Sequence, residues 1–319
     1  MKSMVTVTLN PAVDQVIEVD RLMVGAMNRA RSSQPMTGGK GINVARVLKG
    51  FGLDVVATGF LGGAGAGMAA QTLEQEGVAA RFVPVSGEMR VNLKVHDRQG
   101  GRTTEINQPG FAVDDAAFAR LAEQLRQLLP QAAALVLTGS LPPGCPENAY
   151  RQLGILASAH GVPVFLDADG ENLKWGVSAM PYAVKPNEDE LRRYSGLSLK
   201  NDREWVLAMR GLRRNGVRQV AATMGPEGVM MLDGHTAWHA PGLNVRPACA
   251  TGAGDAALAA MIWAWHQVLP PQRTVALMSA AGGMTAAKPG IAFCTLEEMI
   301  AGADSLRARE IDMPPEEER

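Results

Sequence analysis

The sequence predicts an α/β protein: a doubly wound, mostly parallel sheet flanked by helices, with a small β-sheet inserted as a lid. Three observations predict it. Apolar, β-branched runs alternate with helical patterns along most of the 319 residues, and such alternation builds a parallel sheet with helices on both faces. Hydrophobic residues make up 46% of the chain and charged residues 20%, enough apolar surface for a large core. Two stretches, 12–22 with 29–39 and then 88–110, break the pattern with period-two alternation, the mark of a half-exposed sheet. Residues 1–319 are expected to form one such domain, with approximately 11–37 and 88–109 as a discontinuous lid over the C-terminal edge of the main sheet.

The elements follow in order. "MVTVTL" reads as a strand, and "GINVARVLKGFG" has helical spacing with glycines near its end. "DVVATGFLG" is a strand and "GMAAQTLEQEG" a helix stopped by Gly77. The hairpin 88–110 turns at "RQGG". "AALVLTGSLPPG" is a buried strand entering a turn, "NAYRQLGILASAHG" a helix and "VPVFLDAD" a strand. "YAVKPNEDELRRYSG" gives a short strand, a turn and a helix with acids at its start. "REWVLAMRGLRRNG" is a helix, "VRQVAATMG" a strand, and the chain is mainly helical from Asp255 on. The final "PPEEER" is expected to be a solvated end.

Charge and composition exclude several classes. The net charge is −1, without the Lys/Arg clusters that nucleic acid requires, and aromatic residues are only 5%, too few for base-stacking platforms. Cys145, Cys249 and Cys294 fit neither a disulfide framework nor a zinc motif, which points to reduced thiols in the cytoplasm. The N-terminal stretch enters a strand-like run without a long apolar segment, so no export signal is expected, and the most apolar helix candidate, 256–269, is too short for a bilayer.

"ATGAGD" (250–255) is the most pointed motif. Glycines at a helix start expose N–H groups that bind phosphate oxygens, and the helix dipole favours the ionised form of Asp255. Read blandly, the same residues are a Gly-rich turn with a helix-starting Asp. "TGGKGINVAR" (37–46) lets a ligand approach the backbone, with Lys40 as a cation and Asn43 suited to sugar hydroxyls; its bland reading is a loop before an amphipathic helix. "KPNEDEL" (185–191) puts Asn187 and Glu190 on one face, able to order Mg²⁺ and its waters or simply to start a helix. On the lid, Asp14 can accept from sugar hydroxyls and Arg90, beside Asn92, can hold a phosphate. Two G-x-G-x-x-A matches, at Gly65 and Gly252, raise a dinucleotide-binding oxidoreductase as a rival, and no P-loop is present.

Taken together and in order, "TLNPAVD", "GGKGINVARVL", "GFLGG", "TEINQPG", "TGSLPPG", "KPNEDEL", "MGPEGV" and "TGAGD" resemble the PfkB carbohydrate kinases, the ribokinase-like superfamily. Within it the chain looks most like the branch of 1-phosphofructokinases and tagatose-6-phosphate kinases. The resemblance implies a ribokinase-like fold, ATP and Mg²⁺, a small sugar-phosphate substrate and a homodimer formed through the lids. It implies Asp255 as catalytic base and the amides of Gly252, Ala253 and Gly254 as an anion hole. Lys185, Asn187, Thr223, Gly225 and Gly228 match the nucleotide side, with Glu190 and Asn187 toward the metal, through water. Asp14, Gly38, Gly39, Asn43, Arg90, Asn92 and Ser140 match the sugar side. Lys40, Arg29 and Arg90 are candidates for the phosphate already on the sugar. Cys249 and Ala250 stand where the family usually has a polar Asp-Thr or Ser-Thr pair, so this loop should pack differently. Lys40 and "TEINQPG" favour a ketohexose phosphate, fructose 1-phosphate first, with tagatose 6-phosphate and fructose 6-phosphate as alternatives. A non-catalytic sugar-phosphate sensor is the reading from another class.

Overall fold

The structure is a computed structural model and describes residues 2–313; the "PPEEER" end lies outside the described residues. The first half runs β1 (Ser3–Thr8), β2 (Ala12–Val19), β3 (Ser32–Gly38), α1 (Lys40–Gly50), β4 (Val55–Gly62), α2 (Gly63–Gln75), β5 (Ala79–Val85), β6 (Arg90–Asp97), β7 (Arg102–Asn107) and α3 (Asp115–Leu128). Then come β8 (Ala132–Thr138), α4 (Ala149–Ala159), β9 (Val164–Asp167), α5 (Gly170–Val177), β10 (Ala183–Val184), α6 (Glu188–Ser195), α7 (Asp202–Arg214) and β11 (Gln219–Thr223). β12 (Val229–Asp233), β13 (Thr236–Ala240), α8 (Ala253–His266), α9 (Pro271–Ala286), α10 (Leu296–Asp304) and β14 (Arg309–Ile311) complete it.

The main sheet has ten strands in the order β14-β13-β12-β11-β10-β9-β8-β1-β4-β5. From β5 to β11 neighbours are parallel; β12, β13 and β14 continue antiparallel. β1 lies inside the sheet, between β8 and β4, and Met4 to Thr8 are buried because helices cover both faces of a parallel sheet. Two apolar layers form the core, one on each face. From β1 the chain builds outward through β4 and β5, then returns to add β8 on the other side. That reversal opens a crevice at the carboxyl ends of the strands, where α/β sheets bind ligands.

A second sheet has the order β3-β2-β6-β7. β2 and β6 are parallel, and β6–β7 is the hairpin around "RQGG". The period-two pattern segregates its faces: Asp14, Asn92 and Lys94 are buried toward the main body, whereas β7 is exposed throughout. Helix starts obey local chemistry, with Asp114 accepting from the Ala117 amide at 2.7 Å and capping boxes at Asn187/Glu190 and Thr295/Glu298.

The structure adds α3, α5, β5 and β12 to β14 to the elements the sequence announces. β12 and β13 are five residues each, "VMMLD" and "TAWHA", stabilised by antiparallel pairing rather than by β-branched composition. α2 begins at Gly63, immediately after β4, rather than at Gly67. Among the described residues no helix is long and apolar enough to cross a membrane, and all three cysteines are free. Burial pushes the Cys145 thiol up to about 12, which leaves it protonated and inert.

Candidate active site

A cleft of about 880 Å³ lies between the carboxyl edge of the main sheet and the second sheet. Asp255, in the first turn of α8, lines it and is 6% exposed. Its Oδ2 accepts a 2.8 Å hydrogen bond from Asn43 Nδ2 of α1. Burial pushes the carboxyl up to about 6, against the opposing pull of Lys40 and the Asn43 bond. A carboxylate at this value is ionised at neutral pH yet basic enough to accept a proton.

Gly252 precedes it in the left-handed region, at φ 82° and ψ −8°, a conformation a Cβ would resist. The first-turn amides of a helix have no acceptors within the helix, and Gly254 and Asp255 both line the cleft. The Ala253 amide already turns back to the Ala250 carbonyl at 3.2 Å. This amide, which the resemblance assigns to the anion hole, is thus already engaged.

Behind Asp255 lies a charge cluster centred on Asp167, at the end of β9, 1% exposed. It pairs with Lys185 at 3.4 Å and Lys40 at 3.5 Å. Burial raises the Asp167 carboxyl, but the two lysines outweigh it and hold it below the ordinary range. Asp167 in turn raises Lys40, helped by Asp255 and Glu190. Lys40 thus has its charge engaged by Asp167 and lines the same cleft as Arg90. Glu190 is raised by burial and then by Asp167.

Asn187 and Glu190 spend their polar atoms on each other. Asn187 Oδ1 accepts from the Glu190 amide and Glu190 Oε2 accepts from the Asn187 amide, both at 2.8 Å. Among the described residues no three His, Cys, Asp or Glu side chains are grouped to hold a metal ion. A ready-made metal cage is therefore absent there, and Glu190 Oε1 is the oxygen left over.

At the second sheet, Asp14 accepts from Asn92 at 2.9 Å and pairs with Lys94 at 3.3 Å. A Cβ on Gly38 would meet Asp14 Oδ2 at 2.4 Å, so glycine is required for the carboxylate to lie there. Gly39 turns the chain into α1 at φ 117°. Arg90 lines the same cleft; its buried Nε has no partner and burial lowers its pKa. Ser140 accepts from Asn10 Nδ2 at 3.3 Å, one layer behind. Thr223, Gly225 and Gly228 line the other end with Lys185 and Asn187.

Arg29 is not brought to the cleft. β2 and β3 pair from Ala12↔Gly38 to Glu18↔Ser32, so the 20–31 connection lies at the far end of the sheet. At about 3.3 Å per residue that is roughly 20 Å from Gly38, and Arg29 is exposed. The G-x-G-x-x-A match at Gly65 is also displaced: it opens α2 against Val13 and Met89, outside the cleft. Asp167 and Lys94 are cleft residues that the motifs do not announce. An acid closing a buried strand of a parallel sheet, and a lysine two residues beyond Asn92 on one strand face, are the signals that point to them.

A doubly wound sheet that presents a buried carboxylate at a glycine-rich helix start, facing cations across a cleft, defines a phosphotransferase scaffold. The pattern of the pfkB family of carbohydrate kinases matches residues 7–299. A 1-phosphofructokinase of Xanthomonas campestris pv. campestris is 39% identical over 81% of this chain and 82% of its own length. One of Vibrio cholerae is 31% identical over 93% and 94%. The phosphofructokinase-2 of Escherichia coli, solved with fructose-6-phosphate, superposes with a TM-score of 0.87 at 26% identity, covering 95% of this chain and 99% of that one. The chain belongs to the pfkB family and is a sugar-phosphate kinase with the ribokinase-like fold.

Proposed function

We propose that the protein transfers the γ-phosphoryl group of ATP to the 6-hydroxyl of fructose 1-phosphate, giving fructose 1,6-bisphosphate and ADP. The observation that carries the reading is Asp255, a buried carboxylate with a pKa of about 6 at a phosphate-binding helix start. In this reading Asp255 takes the hydroxyl proton as that oxygen attacks the γ-phosphorus, and the bond to the bridging oxygen breaks in line. The amides of Gly252 and Gly254, with Lys185, stabilise the charge spread over the transferring group, and Ala253 contributes less. Thr223, Gly225 and Gly228 flank the nucleotide. Glu190, through the oxygen its capping box leaves over, and Asn187 would hold the waters of a Mg²⁺ ion, which would supply neutralisation of the nucleotide's phosphate charge. Asp14, Asn92, Asn43 and the Gly38–Gly39 backbone orient the sugar, and Arg90 takes its phosphate.

The relatives named 1-phosphofructokinase support fructose 1-phosphate. The structural neighbour solved with fructose-6-phosphate keeps that sugar in play, beside tagatose 6-phosphate. The test is ADP release with Mg-ATP and each of the three phosphates and unphosphorylated sugars. The highest kcat/KM is expected for fructose 1-phosphate. A preference for another ketose phosphate would replace the substrate, and binding without ADP release would favour the sensor.

We further propose a homodimer through the second sheet, acting in the cytoplasm. Ile17 lies opposite Val95, and Leu93 opposite Ile106, on the sheet face turned from the cleft. Ile106 is 55% exposed, and an apolar sheet face in water invites a second copy. Sedimentation should give twice the chain mass, and Leu93→Glu with Ile106→Glu should give the chain mass. A monomeric parent protein would end this proposal.

A further inference from the structure

The turn that forms the anion hole is held from outside. Gly252 caps α8 without any side-chain cap bond, and a Gly-rich turn has more backbone freedom to lose than any other. The ring edge of Phe293 restricts it: a Cβ at position 252 would stand 2.7 Å from Phe293 Cε1. Phe293 lies between α9 and α10, and the chain around it is tied down. Lys288 Nζ donates to the Phe293 carbonyl at 2.9 Å, and the Cys294 amide donates to Thr285 Oγ1 at 3.2 Å. The Arg46 guanidinium covers the ring at 5.2 Å from its centre. Arg46 is itself fixed by Glu76, with Nε and Nη2 donating at 2.7 and 2.6 Å.

Arg46 stands on α1, three residues after Asn43, which bonds Asp255. Residues three apart share a helix face. One face of α1 therefore holds both halves of the reacting centre, the carboxylate directly and the glycine turn through the ring.

We propose that Phe293, clamped by Arg46 and Glu76, is a positioning residue that holds Gly252 in the turn required by the anion hole. The inference rests on the anion-hole reading above. Donors aimed in advance at the developing charge act without reorganising, and losing one such donor costs about 10²–10³ in kcat. Loosening the turn retains the donors and misaligns them, so roughly a tenfold loss is expected.

The test is steady-state kinetics on Phe293→Leu and Arg46→Met, with fructose 1-phosphate or whichever sugar phosphate the protein prefers, normalised to folded protein. Both should lose roughly tenfold in kcat, with KM for ATP and sugar phosphate within about twofold, and the double variant should lose little more than either alone. A filler of the core would instead lower thermal stability and leave kcat per folded molecule unchanged, and that result overturns the proposal. So does a rise in KM that accounts for the whole loss. If Phe293→Leu does not fold, Arg46→Met is judged by the same criteria. Asp255→Asn run alongside separates the failures: an inactive Asp255→Asn with a fully active Phe293→Leu removes this inference alone, whereas an active Asp255→Asn removes the reading beneath it.

Discussion

Asp255→Asn is expected to lower kcat by roughly two or more orders of magnitude while ATP and sugar phosphate still bind. Asparagine keeps the shape of the side chain and can still meet Asn43, so the helix start should survive. It cannot take the hydroxyl proton. The pH dependence carries a second signature of the same group. Burial raises the Asp255 carboxyl to about 6; above that value it is ionised and able to act, and below it a proton already occupies the site. Protonation of Asp255 alone should therefore lower the parent kcat/KM about tenfold per unit as pH drops below about 6. The phosphate on the substrate also takes a proton near pH ~6. The residual rate of Asp255→Asn retains that limb and lacks the Asp255 limb, so the ratio of the two profiles isolates the carboxyl. A variant with near-parental kcat, or an unchanged ratio across this range, would remove Asp255 as the base.

The parts of this molecule that a reader can take from the sequence are those encoded locally. Val5, Val7 and their neighbours make an apolar run that fits only a strand covered on both faces. "GAGDAALAA" announces a helix start, and the alternation in "RVNLKV" separates the cleft face of β6 from the other. Long-range arrangement is not encoded in that way. Asp167 reads as the end of a strand until Lys40 and Lys185, from two other elements, close on it. Lys94 reads as a surface lysine until β2 brings Asp14 beside it. Arg29 is near the sugar-side residues in sequence, and only the β2–β3 register places it at the far end. The "KPNEDEL" segment is ambiguous for a different reason: capping and metal coordination draw on the same oxygens, and the capping box uses most of them. Phe293 has no motif at all. Its meaning comes from a glycine on one side and a guanidinium on the other.

Charge pairing within the cleft selects the second large effect. Lys40 and Lys185 are engaged with Asp167, and Lys94 with Asp14. Arg90 lines the same cleft with no ion-pair partner among the described residues, and its buried Nε is unpaired. Burial lowers its pKa, but a guanidinium stays charged across the working range. Asp14, the carboxylate whose charge acts on this half-buried guanidinium, is already paired with Lys94, and a sugar phosphate supplies a matching dianion that a guanidinium grips with two parallel bonds. Arg90→Ala should remove about 2–3 kcal/mol of charge-assisted bonding, a rise of roughly 30- to 150-fold in KM for the sugar phosphate. KM for ATP should stay within about twofold, because the proposed nucleotide side is formed by Thr223 and Gly228, away from the second sheet that carries Arg90. Arg90→Lys should recover only part of the loss, since an ammonium offers a point charge where the fork is needed. Unphosphorylated sugars give the internal control: whatever weak turnover they show should be indifferent to Arg90. Equal rises in KM for both substrates would mean that Arg90 shapes the cleft as a whole, and the phosphate would then have to be sought beside Lys94.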